Sequence, residues 1–395
     1  MKLPPPIRKV EIPKSFSPSH LPLTGGCLLK TVVCSQRVEG VVPLIPHPKT
    51  ELGNVFHKLL EMSLKGDIRR SGNFEEDVAE TLRELLDAAQ RKFSEDPLRC
   101  SHADLTKTMS PLDWDRAKRM FSDIAVDLLE IGRRHGAGSS GKGRLHYDDL
   151  PEIGRWSEVD IAVPRFRLQG RMDVVEKDFE TVLLKDFKTG RIKDSKGQIL
   201  DHIVSQMLLY GLMVMELDGG RKRIRLLLER ENQEEIPFDK STVETTISRL
   251  DVVLGKLPAG TKVEAASLAD TGESCRYCSI RHVCDSYLSE TPAKWKSGAE
   301  HVLPKDVWGT VKEINLRPDL NILTIHDVAG RTVKVFGLRD SLVSGVCVGE
   351  RVYMFSLSAK TFLNPDGLKR HPLNFFENDL NDPWGRACAA QLFRA

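Results

Sequence analysis

The stretch GRMDVVEKDFETVLLKDFKTG, residues 170–190, contains two apolar runs that are typical of β-strands. Asp173, Asp186 and Lys188 occupy positions where a core strand would carry side chains that are cheaper to bury. A hairpin around KDFE, with residue 176 opposite 181 and Asp173 opposite Leu184, would place Asp186 diagonally from Asp173, about 7–8 Å away between backbones. The two carboxylates could then share a divalent cation.

Lys188 lies two residues after Asp186, so the alternation of a strand directs both side chains to one face. Carboxylate oxygens suit Mg²⁺ or Mn²⁺, and the amine could orient the attacking water or offset charge on a phosphodiester. Glu158, in WSEVD on the preceding strand, is a candidate further ligand. A solvent-facing Asp–Lys pair is the alternative, but both runs are largely apolar, which favours a buried site.

The surrounding sequence predicts an α/β fold with a mixed sheet flanked by helices. A helix over ELGNVFHKLLEMSLKG carries His57 and Glu61 four residues apart on one face. Two long amphipathic helices, NFEEDVAETLRELLDAAQRKF and PLDWDRAKRMFSDIAVDLLEIGRRHG, predict a helical insert over 66–146. Strands and helices then alternate through the segments WSEVDIAVPRF, DHIVSQMLLYGLMVMEL, RIRLLLERE and STVETTISRLDVVLGKL.

Four motifs follow one another along the chain: GNVFHKLLE (53–61), GRMD (170–173), DFKTG (186–190) and QMLLY (206–210). This ordered set resembles the RecB-like branch of the PD-(D/E)XK nuclease superfamily. That branch has a G-x-x-x-H-x-x-x-E helix, a G-x-x-D strand, a D-x-K-T-G strand and a Q-x-x-x-Y helix.

The resemblance implies a restriction-endonuclease-like fold and a role for each matching residue. It implies that His57, Asp173 and Asp186 bind Mg²⁺ or Mn²⁺, and that Lys188 is the catalytic lysine. It also implies that two residues of the Q-x-x-x-Y helix, Gln206 and Tyr210, contact the nucleic acid or brace the site.

Three of the eight cysteines are clustered as C-x₂-C-x₅-C, at Cys275, Cys278 and Cys284. Such clustering favours metal or cluster ligation over disulfides. The chain is similar here to RecB-like nucleases with iron–sulfur clusters, among them AddB-type and CRISPR-associated exonucleases, which take a fourth cysteine from before the His helix. The resemblance implies a structural [4Fe–4S] cluster with Cys27 as the fourth ligand and Cys34 as the reserve. A four-cysteine zinc site is the alternative, although such sites more usually draw on two C-x-x-C pairs.

The domain prediction places a nuclease domain at 1–300, a small β-barrel of the OB or SH3 kind at 301–378 and a tail at 379–395. Five short strand-like runs with turns between them support the barrel. Its aromatic side chains could stack bases of a single strand, although the alternative is that they belong to the core, as strand aromatics more often do. These candidates are Trp308, Phe336, Tyr353 and Phe355.

Composition is ordinary for a globular chain, with 40% hydrophobic residues, 29% charged residues and a formal net charge of +2. No apolar run approaches the roughly 20 residues that span a bilayer, and the N-terminus has no secretory h-region. We therefore expect a cytoplasmic protein without a membrane segment.

The sequence as a whole predicts a metal-dependent nuclease that hydrolyses DNA, single-stranded or with free ends, with a helicase or other subunit as a possible partner. One alternative is a non-cleaving nucleic-acid-binding subunit that passes strands to a helicase or nuclease. The other is a zinc-stapled protein whose barrel binds another protein.

Overall fold

The computed structural model describes the chain in segments. They are residues 2–36, 38–44, 48–65, 67–68, 74–95, 144–188, 192–229, 233–296, 306–316, 321–338, 340–359, 374–376 and 391–395. The second helix predicted for the insert, PLDWDRAKRMFSDIAVDLLEIGRRHG, lies outside the described residues. None of the described helices is long and apolar enough to cross a membrane.

The described helices are α1 (Leu28–Cys34), α2 (Pro48–Lys65), α3 (Phe74–Glu95), α4 (Asp201–Leu217), α5 (Lys240–Gly255), α6 (Ala265–Leu268), α7 (Asp285–Lys296) and α8 (Asp340–Val343). The first eight strands are β1 (Lys9–Glu11), β2 (Leu145–His146), β3 (Gly154–Val163), β4 (Leu168–Lys177), β5 (Thr181–Phe187), β6 (Arg223–Glu229), β7 (Glu234–Ile236) and β8 (Lys262–Glu264). The C-terminal strands are β9 (Val307–Asn315), β10 (Asn321–Asp327), β11 (Thr332–Leu338), β12 (Arg351–Phe355), β13 (Ser358–Ala359), β14 (Asn374–Phe376) and β15 (Gln391–Arg394).

A six-stranded mixed sheet forms the centre of the region before residue 300, in the order β2-β3-β4-β5-β6-β7. The β3–β4 and β4–β5 pairs are antiparallel, whereas β5 and β6 are parallel because α4 provides the crossover between them. Helix α4 is apolar on nearly all sides and packs against the sheet, as expected of a helix buried in the core. The predicted α/β architecture with a mixed, helix-flanked sheet is confirmed.

The hairpin β4–β5 pairs in a different register from the one predicted. Glu176 lies opposite Leu183, not opposite residue 181. Asp178 stabilises the turn. Its Oδ1 accepts hydrogen bonds from the backbone N–H groups of Glu180, at 2.8 Å, and Thr181, at 2.5 Å. Continued by one pair, this register places Asp173 opposite Asp186 rather than diagonal to it.

Helices α2 and α3 cover part of the sheet and form a second apolar cluster. Leu59 on α2 and Leu82 and Leu86 on α3 are buried with Val174 of β4 and Phe187 of β5. Helix α3, at the start of the predicted insert, is therefore part of the packing around the hairpin. This packing sets α2 beside the strands that carry the two aspartates.

Backbone hydrogen bonds join the N-terminal segment to the segment around residues 262–284. Strand β1 pairs antiparallel with β8, and the N–H of Ile7 donates to the carbonyl of Val283 at 2.8 Å. The segment that holds Cys275, Cys278 and Cys284 is thus attached to the N-terminal segment before Cys27.

The C-terminal region contains a seven-stranded sheet in the order β13-β14-β11-β10-β9-β12-β15. Among the described residues this sheet is open, with β13 and β15 at its edges, so the predicted closed OB-like barrel is not observed. Strand β15 (Gln391–Arg394) lies in the segment predicted to be a tail and instead pairs with β12. The sheet buries its own apolar face, which includes Val311, Ile325 and Val352.

Four aromatic side chains of this sheet pack against the region that contains the central six-stranded sheet. Trp308, Phe355 and Phe393 are buried in the same core cluster as the central sheet, and Tyr353 packs against that cluster. The His282 ring stacks on Phe393 with centroids 5.4 Å apart. Trp308 and Phe355 are 2% and 0% exposed, so the prediction that these two residues stack bases is wrong, whereas for the partly buried Phe336 and Tyr353 it stays a prediction.

Candidate active site

Helix α2 and strand β4 bring an imidazole to a carboxylate. Nδ1 of His57 lies 3.8 Å from Oδ2 of Asp173, and the same oxygen accepts the N–H of Phe187 at 2.8 Å. Burial lowers the pKa of His57, which favours the neutral ring that can act as a metal ligand. Burial, and next the charge of Asp186, raise the pKa of Asp173 well above its usual range.

Asp186, Lys188 and Gln206 form a closed polar group at the end of β5. The Nζ atom of Lys188 lies 2.8 Å from Oδ2 of Asp186 and donates to Oε1 of Gln206 at 3.1 Å. Nε2 of Gln206 donates to Oδ1 of Asp186 at 3.0 Å. Gln206 is buried and hydrogen-bonds both the Asp186 carboxylate and the Lys188 amine. These contacts fit the prediction that Gln206 braces the site.

Tyr210, one turn after Gln206, fixes the backbone of β4. Its hydroxyl accepts the N–H of Arg171 at 3.1 Å and donates to the Arg171 carbonyl at 2.9 Å. The phenol packs directly over Gly170: a Cβ at that position would lie 2.6 Å from the Tyr210 oxygen and 3.0 Å from Pro18. A glycine before Arg171 therefore allows α4 to approach the strand that carries Asp173.

Gly170→Ala is expected to destabilise the protein by about 1–3 kcal/mol, because a buried tyrosine and a proline must move to admit the methyl group. Thermal or urea unfolding measures the loss. Gly255→Ala, at a helical glycine with no neighbour within 4 Å, is the matched control and is expected to be neutral or slightly stabilising. Equal stability of the two variants would contradict the close packing of Tyr210 on β4.

Glu158 lies beside this site but has a different partner in the structure. Its Oε2 is 3.2 Å from Nη1 of Arg171, whose Nε is 2.9 Å from Oδ1 of Asp160. The pairing of its neighbours on β3 places Glu158 opposite Asp173, and the charge of Glu158 contributes to the raised pKa of Asp173. Sequence reasoning missed Arg171, although it stands inside the GRMD motif.

The donor set suits a divalent cation. It combines an imidazole nitrogen with two carboxylates, and the buried Oδ2 of Asp186 contacts the Lys188 ammonium at 2.8 Å without making an aligned hydrogen bond in the described part of the chain. No group of three or more His, Cys, Asp or Glu side chains in the described segments is already arranged to hold a metal ion. Binding would require the Lys188 ammonium and the carboxylates to adjust around the ion.

The family model of the PD-(D/E)XK nuclease superfamily matches residues 15–285, which include every residue of this site. The chain belongs to the PD-(D/E)XK nuclease superfamily. Members of this superfamily are generally metal-dependent nucleases. A comparison with curated proteins found no match to the chain.

The PD-(D/E)XK region also gathers four of its thiols. Cys275, Cys278 and Cys284 are buried in one core cluster, and Cys27 packs against that cluster. Burial is the largest cause of the raised pKa of each of the three buried thiols, and it raises the pKa of Cys278 to about 12. These four residues are free cysteines, as is Cys34. They are neighbours without forming a finished ligand set.

Arg281, inside the loop between Cys278 and Cys284, joins the PD-(D/E)XK region to the C-terminal sheet. Its Nε and Nη2 donate to the two carboxylate oxygens of Asp306 at 2.6 and 3.1 Å, and Nη1 donates to the carbonyl of Cys278 at 2.9 Å. Tyr287 donates to the same carboxylate at 2.7 Å. This pair was not predicted, because the sequence does not reveal that position 306 lies beside the cysteine loop.

Proposed function

We propose that the protein is a metal-dependent nuclease of the RecB-like branch that hydrolyses DNA, single-stranded or with free ends. The observation that carries the proposal is the convergence of His57, Asp173, Asp186 and Lys188, where Nδ1 of His57 lies 3.8 Å from Asp173 and the Lys188 ammonium lies 2.8 Å from the buried Oδ2 of Asp186. A solvent-facing Asp–Lys pair would have no need of the Gln206 brace or of burial. DNA as the substrate follows from the resemblance of the four motifs.

His57, Asp173 and Asp186 would hold the ion, and Glu158 is a candidate further ligand. When bound, a divalent cation supplies Lewis acidity toward the phosphate and the attacking water. Lys188 is anchored by Gln206 at 3.1 Å, so its ammonium is held where it can offset charge on the phosphodiester. Tyr210 keeps β4 in place, and its raised pKa, caused chiefly by burial, keeps the phenol protonated.

The test is a cleavage assay with Mg²⁺ or Mn²⁺ on single-stranded and double-stranded DNA, with blocked and free ends. Cation-dependent products, absent in chelator, are the expected result. Tight DNA binding without cleavage across several metals would instead favour the non-cleaving subunit. Under both alternatives, the cleaving nuclease and the non-cleaving subunit, a helicase is the kind of partner that would supply single strands.

The four thiols of Cys27, Cys275, Cys278 and Cys284 are proposed to hold a structural [4Fe–4S] cluster. Cys27 is favoured as the fourth ligand over Cys34 because Cys27 packs against the core cluster that contains the other three thiols. Free thiols suit a reducing compartment such as the cytoplasm. The cluster would link the N-terminal segment that carries Cys27 to the segment that carries the other three cysteines.

Anaerobic purification is expected to yield a brown protein with about four iron atoms per chain, as a [4Fe–4S] centre requires. Cys27→Ser should lose the colour and most of the iron, whereas Cys34→Ser should retain both. A colourless wild-type protein that contains zinc would favour the four-cysteine zinc site instead.

A further inference from the structure

Arg171 lies next to the active site on strand β4, two residues before Asp173. At about 3.3 Å per residue, the two backbone positions are roughly 6.5 Å apart. Asp160 is the cross-strand partner of Arg171, and the guanidinium contacts both Asp160 (2.9 Å) and Glu158 (3.2 Å). The arginine side chain is 43% exposed, so it is within reach of a ligand that enters the site.

The backbone of Arg171 is held more firmly than an exposed ion pair requires. Both its N–H and its carbonyl are bonded to the hydroxyl of Tyr210, a residue that belongs to the core. These two hydrogen bonds fix the backbone position of Arg171, while its guanidinium remains at the surface. Such support is typical of a side chain whose position matters for binding.

Glu158, one of the two partners of Arg171, has a strained backbone. Its φ is 54°, in the left-handed region that non-glycine residues rarely adopt inside a strand. The residues on either side of it keep their ladder partners on β4, so the distortion is confined to Glu158. Continuing the register from these neighbours places Asp173 opposite Glu158 across the two strands.

We propose that Arg171 binds a phosphate of the nucleic-acid strand beside the cleavage site, and that Glu158 and Asp160 occupy its guanidinium in the substrate-free protein. The planar fork of an arginine accommodates two phosphate oxygens as it does two carboxylate oxygens. An incoming phosphate takes over these donors and releases Glu158 toward Asp173. The inference rests on the proposed function, since it names a substrate contact of that same site.

The test is the binding of a short fluorescent single-stranded DNA in chelator, where no cleavage occurs. Arg171→Met is expected to weaken binding about tenfold, the effect of losing one charged hydrogen-bond pair. The slope of log K against log salt should fall by about 0.7, the value for one phosphate contact on a single strand. Arg225→Met, which removes an exposed arginine bonded to Glu235 at 2.9 and 3.0 Å, is the matched control and should change neither quantity.

Glu158→Gln provides an independent measurement, because it removes a negative charge that competes with the phosphate. It is expected to tighten binding severalfold in chelator. Unchanged affinity and salt slope in folded Arg171→Met protein would overturn the proposal. If Arg171→Met does not fold, Glu158→Gln is the deciding variant. DNA binding by Glu158→Gln that is unchanged or weaker than that of the wild type would then overturn the proposal. A DNA-binding defect without any metal-dependent cleavage by the wild type would defeat the nuclease proposal but not this contact.

Discussion

Asp186→Asn is expected to reduce divalent-cation-dependent cleavage by on the order of 10³-fold or more while the fold is retained. Asparagine has nearly the same shape and keeps the oxygen that accepts from Gln206 at 3.0 Å. It loses the charge that faces Lys188 at 2.8 Å and the second anionic oxygen available to a metal ion. Initial cleavage rates with Mg²⁺ and Mn²⁺, together with circular dichroism, measure the two parts of this expectation.

The matched control is Asp178→Asn, the same substitution at the turn of the same hairpin. Asp178 accepts backbone hydrogen bonds in the turn, a role that asparagine also fills, so cleavage should stay near the wild-type rate. If Asp186→Asn cleaves DNA at the wild-type rate, Asp186 is not part of the catalytic site. Equal losses in both variants would point to damage of the hairpin rather than of the chemistry.

Arg281→Met is expected to cost about 3–5 kcal/mol of stability, because it leaves a buried carboxylate without its cation. Arg281 and Asp306 are 5% and 1% exposed, and the two hydrogen bonds between them are buried where the cysteine loop meets the C-terminal sheet. The remaining donors to Asp306 are the hydroxyl of Tyr287 and the N–H of Ser356. Urea unfolding of the full chain measures the loss.

Two comparisons separate the buried pair from a general effect of removing an arginine. Arg165→Met removes an exposed arginine bonded to Glu216 at 2.9 and 2.8 Å, and should cost only about 0–1 kcal/mol. Adding Asp306→Asn to Arg281→Met should recover part of the loss, because the uncompensated charge is gone. If Arg281→Met costs no more than Arg165→Met, the interface does not depend on this pair.

The polar residues of the site could be predicted from sequence, but their register could not. The spacing of GRMD and DFKTG identifies Asp173, Asp186 and Lys188 on neighbouring strands. The hairpin register depends on which residue caps the turn, and KDFE offers more than one possibility. The side chain of Asp178 takes that role and moves Asp173 directly opposite Asp186.

The role of the C-terminal aromatics could not be predicted for a similar reason. The period-2 pattern of β9 and β12 identifies two faces of the sheet but not what covers each face. Trp308 and Phe355 are buried because the cysteine loop and α7 pack on them, and the sequence carries no signal for that long-range contact. Arg281 is hidden for the same reason, although its position between Cys278 and Cys284 was visible.

The central claim is that His57, Asp173 and Asp186 bind one divalent ion together, and Mn²⁺ titration followed by electron paramagnetic resonance tests it most directly. Wild-type protein is expected to bind Mn²⁺, and Asp173→Asn and His57→Gln should each weaken that binding by about tenfold or more, as loss of a ligand does. Glu235→Gln, at an exposed carboxylate paired with Arg225, should bind as the wild type does. Equal Mn²⁺ affinity in all four proteins would contradict the shared site.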